Sequence, residues 1–147
     1  MMNRVLMRLG LVLAVAAGVT LAACGSPTSP SSFQTSVGTY TQTDLTTGNG
    51  ATAVTGNRVT VAYTGWLYDT SRPDGKGSSF DSSTSFSFTI GAGQVIAGWD
   101  QGVPGMRVGG QRRLILPPNL AYGSRGSGNV IPPNATLVFD ITLLSIQ

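Results

Sequence analysis

The stretch GAGQVIAGWDQGV, residues 91–103, decides how the rest of the chain is arranged. Apolar side chains recur in it at roughly helical spacing, at Val95, Ile96, Trp99 and Val103. Gly98 and Gly102 leave the opposite side bare, so a short helix here can lie tightly against a sheet with Trp99 as a floor. The alternative is a core helix whose tryptophan only fills volume.

Around this stretch, apolar and polar residues alternate as they do in half-buried strands. A strand is predicted from residue 136 to 146, after a long Gly/Ser/Pro loop. A shorter strand is predicted over residues 112–116. Residues 37–55 are expected to hold one or two edge strands, and residues 68–79 a polar loop. The predicted inward-facing residues are Val59, Val61 and Tyr63, then Phe86, Phe88 and Ile90, and last Leu137, Phe139, Ile141 and Leu143.

These patterns predict an α+β domain in which a curved antiparallel sheet wraps around one short helix. About 110 residues are enough for one modest core of this kind. The sequence shows no internal repeat.

Residues 1–23 have the organisation of a secretory signal peptide. Arg4 and Arg8 give them a positive start, and the apolar run that follows ends at Ala23. At roughly 15 residues this run is shorter than the ~20 that a membrane-spanning helix needs. We therefore expect an exported protein.

The segment LAAC, residues 21–24, contains the only cysteine and resembles the bacterial lipobox. In that class the signal is cut before the cysteine, and the new N-terminal Cys24 carries acyl chains. An ordinary buried or unpaired cysteine is the alternative. Residues 24–36 are rich in Ser, Thr and Pro and are predicted to be a flexible tether. We expect anchoring at the periplasmic face of an outer membrane if there is one, and otherwise at the outer face of the cell membrane.

Composition excludes several kinds of chemistry. The chain has no His and one Cys, so a His-based triad, a His-ligated metal site and a thiolate cluster are ruled out. The net charge of +3 belongs to the precursor, because loss of Arg4 and Arg8 from the nine basic residues leaves near balance with six acidic ones. Arg112 and Arg113 are interpreted as a strand with solvated charge, and the glycine-rich segments as turns. We expect no metal, no cofactor and no nucleic-acid partner.

Many aromatic residues and few ionisable ones remain to be explained. We interpret Asp81, which directly follows Phe80, as the acidic residue of this group. Each aromatic side chain alone is better explained as core, but together they could line an apolar cleft that binds a ligand through a few polar anchors. The aromatic residues are Tyr63, Phe80, Phe86, Trp99, Tyr122 and Phe139.

Seven ordered motifs resemble the FKBP-type peptidyl-prolyl cis–trans isomerases. They extend over about residues 48–146, and their order and spacing make the resemblance far more specific than any single motif. The motifs are VAYTGWL (61–67), FDSS (80–83), FSFTIG (86–91), QVIAGWDQGV (94–103), MRVGGQRRL (106–114), LAYG (120–123) and VIPPNATLVFDITLL (130–144).

The resemblance implies that residues 37–147 form an isomerase domain, a half-barrel of five or six strands with its site between helix and sheet. Trp99 would lie under the proline ring, the Ile96 N–H and the Tyr122 hydroxyl would bind substrate carbonyls, and Asp81 would orient polar groups near the twisting amide. The implied catalytic residues are Tyr63, Asp81, Ile96, Trp99, Tyr122 and Phe139. The implied substrate-binding residues are Phe80, Phe86, Val95, Val130 and Ile131.

The chain departs from the family pattern in its loops. The loop before Phe80 is longer than in the smallest members, and the segment from Phe80 to Phe86 is shorter, so a basic residue that often partners the Asp has no counterpart. Gln94 stands where some members have Glu, and Ser127 where His is frequent.

The resemblance implies Xaa-Pro-containing polypeptides and FKBP-class macrolide inhibitors as ligands of a monomer. Two alternatives stay open at this point. One is a binding module or chaperone that holds proline-containing segments with little turnover. The other is a structural lipoprotein whose aromatic residues are only core.

Overall fold

The computed structural model describes residues 38–147. The predicted signal peptide, Cys24 and the tether lie outside the described residues, so those predictions stay predictions. Within residues 38–147, no helix has the length and apolar character needed to cross a membrane.

The described strands are β1 (Thr41–Thr46), β2 (Arg58–Tyr68), β3 (Lys76–Thr89), β4 (Gln111–Leu116) and β5 (Leu137–Ile146). They form one antiparallel sheet in the order β1-β4-β5-β2-β3. β5 lies in the middle, between β4 and β2. Two short 3₁₀ helices, Pro118–Leu120 and Gly123–Arg125, lie in the long segment that leads into β5.

A single short helix, α1 (Ala97–Gly102), joins β3 to β4 in this part of the chain. Because β3 and β4 are separated in the sheet by β2 and β5, the connection crosses over both strands. A Cβ at Gly98 would lie 2.5 Å from Leu116 Cδ2, and a Cβ at Gly102 would lie 2.6 Å from Leu114 Cδ1. The helix backbone therefore rests directly on β4, and a side chain at either position would have to displace a buried leucine. The expected architecture, a curved sheet with one short helix, is confirmed.

The core lies between α1 and the face of the sheet towards it. Residues at alternate positions of the strands are fully buried, as the two-residue period of a strand requires. The predicted inward set is buried at nearly every position, with Tyr63 half-buried and Phe86 exposed. The largest fully buried side chains in this core are Phe88, Ile90, Leu114, Leu116, Leu137, Ile141, Leu143, Val59, Val61 and Val103.

The helix is shorter than the 91–103 pattern suggests. Gly91 has φ +81° and Gly93 has φ +70°, values that right-handed helical residues do not adopt. The first of the six helical residues is Ala97, so Val95 and Ile96 belong to the turn before α1. Their apolar spacing reflects burial against the same cavity rather than a shared helical face.

The predicted polar loop over residues 68–79 was wrong at both ends. β2 continues to Tyr68 and β3 already begins at Lys76, with Tyr68 paired to Lys76 and Trp66 to Ser79. The turn is confined to residues 69–75 and is closed by a hydrogen bond from the Asp69 N–H to the Gly75 carbonyl, 2.9 Å. β3 is polar here because it is an exposed edge strand.

Arg112 does not carry the solvated charge that its position in a strand suggested. Its guanidinium is buried, pairs with Asp44 of β1, and donates to the carbonyl oxygens of Gly102 (2.8 Å) and Pro104 (3.0 Å). Carbonyl groups at the end of a helix lack intrahelical donors, so this guanidinium satisfies groups that burial would otherwise leave unpaired. Arg112 thus fastens the end of α1 to β4 and β1.

Candidate active site

A cavity of about 150 Å³ opens between α1 and the sheet. Its residues come from β2, β3, β5, the turn before α1, α1 itself and the segment before β5. Most are apolar, and Asp81 is the only charged one. The lining residues are Tyr63, Phe80, Asp81, Phe86, Gln94, Val95, Ile96, Trp99, Tyr122 and Phe139.

Trp99 forms the floor of this cavity. The side chain is 4% exposed, and its ring centroid lies 4.9 Å from that of Tyr63 and 5.4 Å from that of Phe139. Both contacts are nearly edge-on, a geometry that adds about 0.5–1.5 kcal/mol per pair to the gain from burial. Phe86 and Phe88 of β3 complete the contacts at 6.1 and 5.6 Å. The ring is therefore held from three strands, and its orientation is fixed before a ligand enters.

Trp99 also carries an unpaired polar atom. Its indole Nε1 is buried and has no hydrogen-bond acceptor within residues 38–147. An unsatisfied buried donor costs roughly 1–3 kcal/mol. The fold thus leaves one unpaired donor at the floor of the cavity.

The charged end of the cavity is a tyrosine–carboxylate pair. The Tyr63 hydroxyl donates to Asp81 Oδ2 at 2.6 Å, joining β2 to β3. Burial, together with this hydrogen bond and the negative charge of Asp81, raises the pKa of Tyr63 well above its usual range. The hydroxyl therefore stays protonated and keeps one carboxylate oxygen in place, while Asp81 remains exposed to solvent.

Two further polar groups in the cavity wall are free to meet a ligand. No hydrogen bond of the Tyr122 hydroxyl is formed within the described part of the chain, and desolvation, helped by the charge of Asp81, raises its pKa. The backbone N–H of Ile96 likewise has no acceptor among residues 38–147. The cavity thus offers two donors and one carboxylate around an aromatic floor.

The structure brings together nine of the eleven residues implied for the site. Val130 is 57% exposed and does not line the cavity. Ile131 also lies outside the lining; it is 5% exposed, belongs to the core and exchanges backbone hydrogen bonds with Ser127. The roles assigned to all eleven residues remain predictions.

Gln94 lines the cavity although the sequence singled it out only as a departure from a family pattern. Its Oε1 accepts the Thr89 N–H at 2.8 Å, which closes the turn after β3. Only its position next to Val95 pointed to the site.

The arrangement suits binding better than bond-making chemistry. No three His, Cys, Asp or Glu side chains in residues 38–147 are grouped so that they could hold a metal ion. An apolar ring of modest size can lie over Trp99, with its neighbouring carbonyl groups within reach of the wall donors.

Comparisons with known proteins agree with this geometry. A sequence model of the family described as FKBP-type peptidyl-prolyl cis-trans isomerase matches residues 49–144. An FK506-binding protein of Neisseria meningitidis serogroup A (strain Z2491) is 48% identical over 103 residues, which are 70% of this chain and 92% of the relative. The peptidyl-prolyl cis-trans isomerase Fkbp12 of Drosophila melanogaster is 50% identical over 101 residues, 68% of this chain and 91% of its own.

Solved structures show the same fold. The crystal structure of AtFKBP13 superposes with a TM-score of 0.63 at 38% identity, covering 74% of this chain and 93% of that one. A peptidyl-prolyl cis-trans isomerase from Pseudomonas syringae pv. tomato DC3000 gives a TM-score of 0.61 at 38% identity, covering 74% of this chain and 75% of that one.

Proposed function

The chain belongs to the FKBP-type peptidyl-prolyl cis–trans isomerase family and is such an isomerase, and from this premise we propose that it acts on exported proteins as a membrane-anchored folding enzyme. The cavity around Trp99 lowers the rotation barrier, and Cys24 with the segment before it places the enzyme at a membrane.

The observation that carries the catalytic proposal is the aromatic cavity with a single carboxylate. Rotation about an Xaa-Pro bond meets a barrier of roughly 18–20 kcal/mol because twisting destroys amide resonance. The planar amide owes its stiffness to a charge-separated resonance form, which an apolar cavity disfavours. The reaction needs neither a nucleophile nor a proton transfer, so these residues are sufficient for it.

In this mechanism the floor and the wall have different tasks. Trp99 supports the proline ring, and the Ile96 N–H and the Tyr122 hydroxyl bind carbonyl groups of the substrate. Asp81, held by Tyr63, orients polar groups near the twisting amide. A rate increase of a million-fold requires these contacts to favour the twisted amide over the planar one by roughly 8 kcal/mol.

FK506-class macrolides are proposed ligands of the same cavity. Relatives that carry the name FK506-binding protein are about half identical to this chain over the domain. An apolar ring with adjacent carbonyl groups fits over Trp99 as a prolyl ring does.

The cellular part of the proposal rests on residues 1–36. The signal-like segment and the LAAC motif support export and acylation of Cys24, and multiple acyl chains would give stable anchoring where one chain is only marginal. Xaa-Pro isomerisation is slow enough to limit folding, so exported chains that fold beyond the cytoplasm are the proposed substrates.

Cys24→Ala tests this placement. We expect the wild-type chain in the membrane fraction with incorporated labelled fatty acid, and the variant released or mislocated without label. The catalytic constants of the two proteins should agree, because every motif residue lies after residue 47. A freely soluble, unlabelled wild type would overturn the anchoring and leave an unanchored isomerase.

A further inference from the structure

The turn between β3 and α1 is held by a side chain that does not line the cavity. Asp100 of α1 accepts the Gly91 N–H through Oδ1 at 2.9 Å and the Gly93 N–H through Oδ2 at 3.2 Å. Both carboxylate oxygens are thus directed at the same turn. Hydrogen bonds to a charged acceptor are about twice as strong as neutral ones.

Besides these two bonds, the turn has the Thr89 N–H to Gln94 Oε1 bond and a longer one from the Ala92 N–H to the Thr89 carbonyl, 3.3 Å. Gly91, Ala92 and Gly93 are all exposed, and the two glycines have positive φ, so burial does not select their conformation. Glycine in such a turn loses much conformational entropy on ordering, and specific hydrogen bonds must offset the loss. The Asp100 carboxylate supplies two of them.

The residues between the turn and the helix form one wall of the active site. Val95 and Ile96 follow Gly93 with only Gln94 between, are half-buried and line the cavity. The backbone N–H of Asp100 bonds the Ile96 carbonyl at 3.4 Å, and Trp99 N–H bonds the same oxygen at 2.9 Å. Asp100 therefore holds the wall at both ends, through its carboxylate on one side and through its backbone on the other.

We propose that Asp100 is a positioning residue that sets where Val95 and the Ile96 N–H meet the substrate. The inference rests on the proposed role of the cavity, and it adds a residue that acts through others. Without the carboxylate, the turn loses its two anchors and the Ile96 N–H moves away from the substrate carbonyl. In general, misplacing a substrate-positioning group by about 1 Å can cost about a hundredfold in rate.

Three variants of Asp100 separate positioning from mere stability. Asp100→Ala removes both acceptors. Asp100→Asn keeps the shape but turns an amide N–H₂ towards one of the two glycine donors. Asp100→Glu keeps the carboxylate on a longer stem and should restore part of the function. Gln101→Ala, an exposed neighbour on the same helix, is the matched control.

The experiment measures kcat, KM and the dissociation constant of a proline-containing peptide by exchange NMR on the full chain, with the folded fraction set by calorimetry. We expect KM and the dissociation constant to rise about tenfold in Asp100→Ala and Asp100→Asn, less in Asp100→Glu, and not in Gln101→Ala. The Gly91 and Gly93 amide protons should exchange faster with solvent in the first two variants.

A purely structural role predicts a different result. It lowers the melting temperature and the folded fraction, but leaves KM and the dissociation constant of the folded molecules unchanged. Values within twofold of wild type in both Asp100→Ala and Asp100→Asn would overturn the inference. Failure of the proposed function can be told apart from failure of this inference. If the wild type binds the peptide without accelerating exchange, catalysis is refuted, but the dissociation constants of the variants still show whether Asp100 positions the wall.

Discussion

At the scale of single residues, one hydrogen bond between two strands fixes the charged side of the cavity. Tyr63 donates to Asp81 at 2.6 Å, and this fixes a carboxylate beside an otherwise aromatic cavity. Asp81 is exposed, so its removal leaves no buried group unsatisfied except the Tyr63 hydroxyl, which water can reach through the same opening. Its contribution should therefore fall on turnover more than on folding.

Asp81→Ala is expected to lower kcat/KM about tenfold or more, in keeping with roughly 1.5–3 kcal/mol for a hydrogen bond to a charged group. The melting temperature should change little. Asp74→Ala, at an exposed aspartate in the 69–75 turn, is the control and should retain full activity. Kinetics and calorimetry on the same preparations provide the measurement. A rate unchanged in Asp81→Ala would remove Asp81 from the mechanism, whatever the fold.

A second carboxylate, that of Asp140, is paired outside the cavity around Trp99. Asp140 of β5 accepts from Arg113 Nε at 2.7 Å and from Lys76 Nζ at 2.7 Å. Burial alone would raise the pKa of Asp140, but the hydrogen bonds and charges of Arg113 and Lys76 outweigh it and hold the pKa below its usual value. The folded state therefore binds this proton less readily than the unfolded state.

The sign of the pH dependence follows from that lowered pKa. Stability from Asp140 is fully present above the unfolded pKa of about 3.9 and is lost as the pH falls below it. We expect the urea midpoint to fall as the pH drops below about 4, and Asp140→Asn to be less stable at neutral pH with a shallower fall. Asp74→Asn is the control. An equally steep fall in Asp140→Asn would show that other carboxylates dominate.

Some residues could be placed correctly from the sequence and others could not. The aromatic residues of the site could be named because alternation and helical spacing assign them to inward faces. The burial of Arg112 could not be predicted from its strand position. It depends on Asp44, 68 positions earlier, and on the carbonyl groups that α1 presents. Val130 and Ile131 were assigned through the resemblance, and the course of the loop keeps both out of the cavity lining.

At the scale of elements, the glycines of α1 matter as much as its tryptophan. A side chain at residue 98 would meet three carbon atoms of Leu116 within 3.0 Å, and Leu116 is fully buried with little room to move. Close contact of α1 with β4 is what places the Trp99 ring among Tyr63 and Phe139.

Gly98→Ala tests this contact, because two effects oppose each other. Alanine is a better helix former than glycine by about 1 kcal/mol. Overpacking a well-filled core costs typically about 1–3 kcal/mol, and three close carbon atoms favour the upper part of that range. We expect a net loss in the free energy of unfolding and weaker peptide binding. Gly105→Ala is not a suitable control because of its φ of +86°. The control is Ala97→Gly, which changes helix propensity at the exposed first residue of α1. A stabilised Gly98→Ala would show that α1 can lift from the sheet at no cost.

The elements were predictable where their periodicity was undisturbed. β5 and β2 alternate cleanly and were found as expected. The position of α1 was predicted correctly, but its length was overestimated. Apolar spacing cannot distinguish a helix from a glycine turn that buries the same side chains. The start of β3 was missed, since an exposed edge strand rich in Ser and Gly lacks the apolar alternation that identifies a half-buried one.

At the scale of the whole molecule, the chain combines an isomerase domain with a predicted signal peptide and tether. The domain could be assigned from the sequence because seven motifs in order constrain one topology, and the sheet order and the helix crossing confirm it. The network that holds the helix could not be predicted: the Asp100 carboxylate of α1 bonds the turn before the helix, and the Arg112 guanidinium bonds the carbonyl group of Gly102 at its end. Both act across turns whose geometry arises only in the folded chain.

The most direct test is the rate of cis–trans exchange of a short peptide with an apolar residue before proline, measured by NMR with the protein at catalytic concentration. If the cavity around Trp99 favours the twisted amide, the exchange rate must rise in proportion to enzyme concentration, and Asp81→Ala must reduce that rise. Exchange rates equal to those of the peptide alone, with peptide binding retained, would contradict catalysis and leave a module that only holds proline-containing segments.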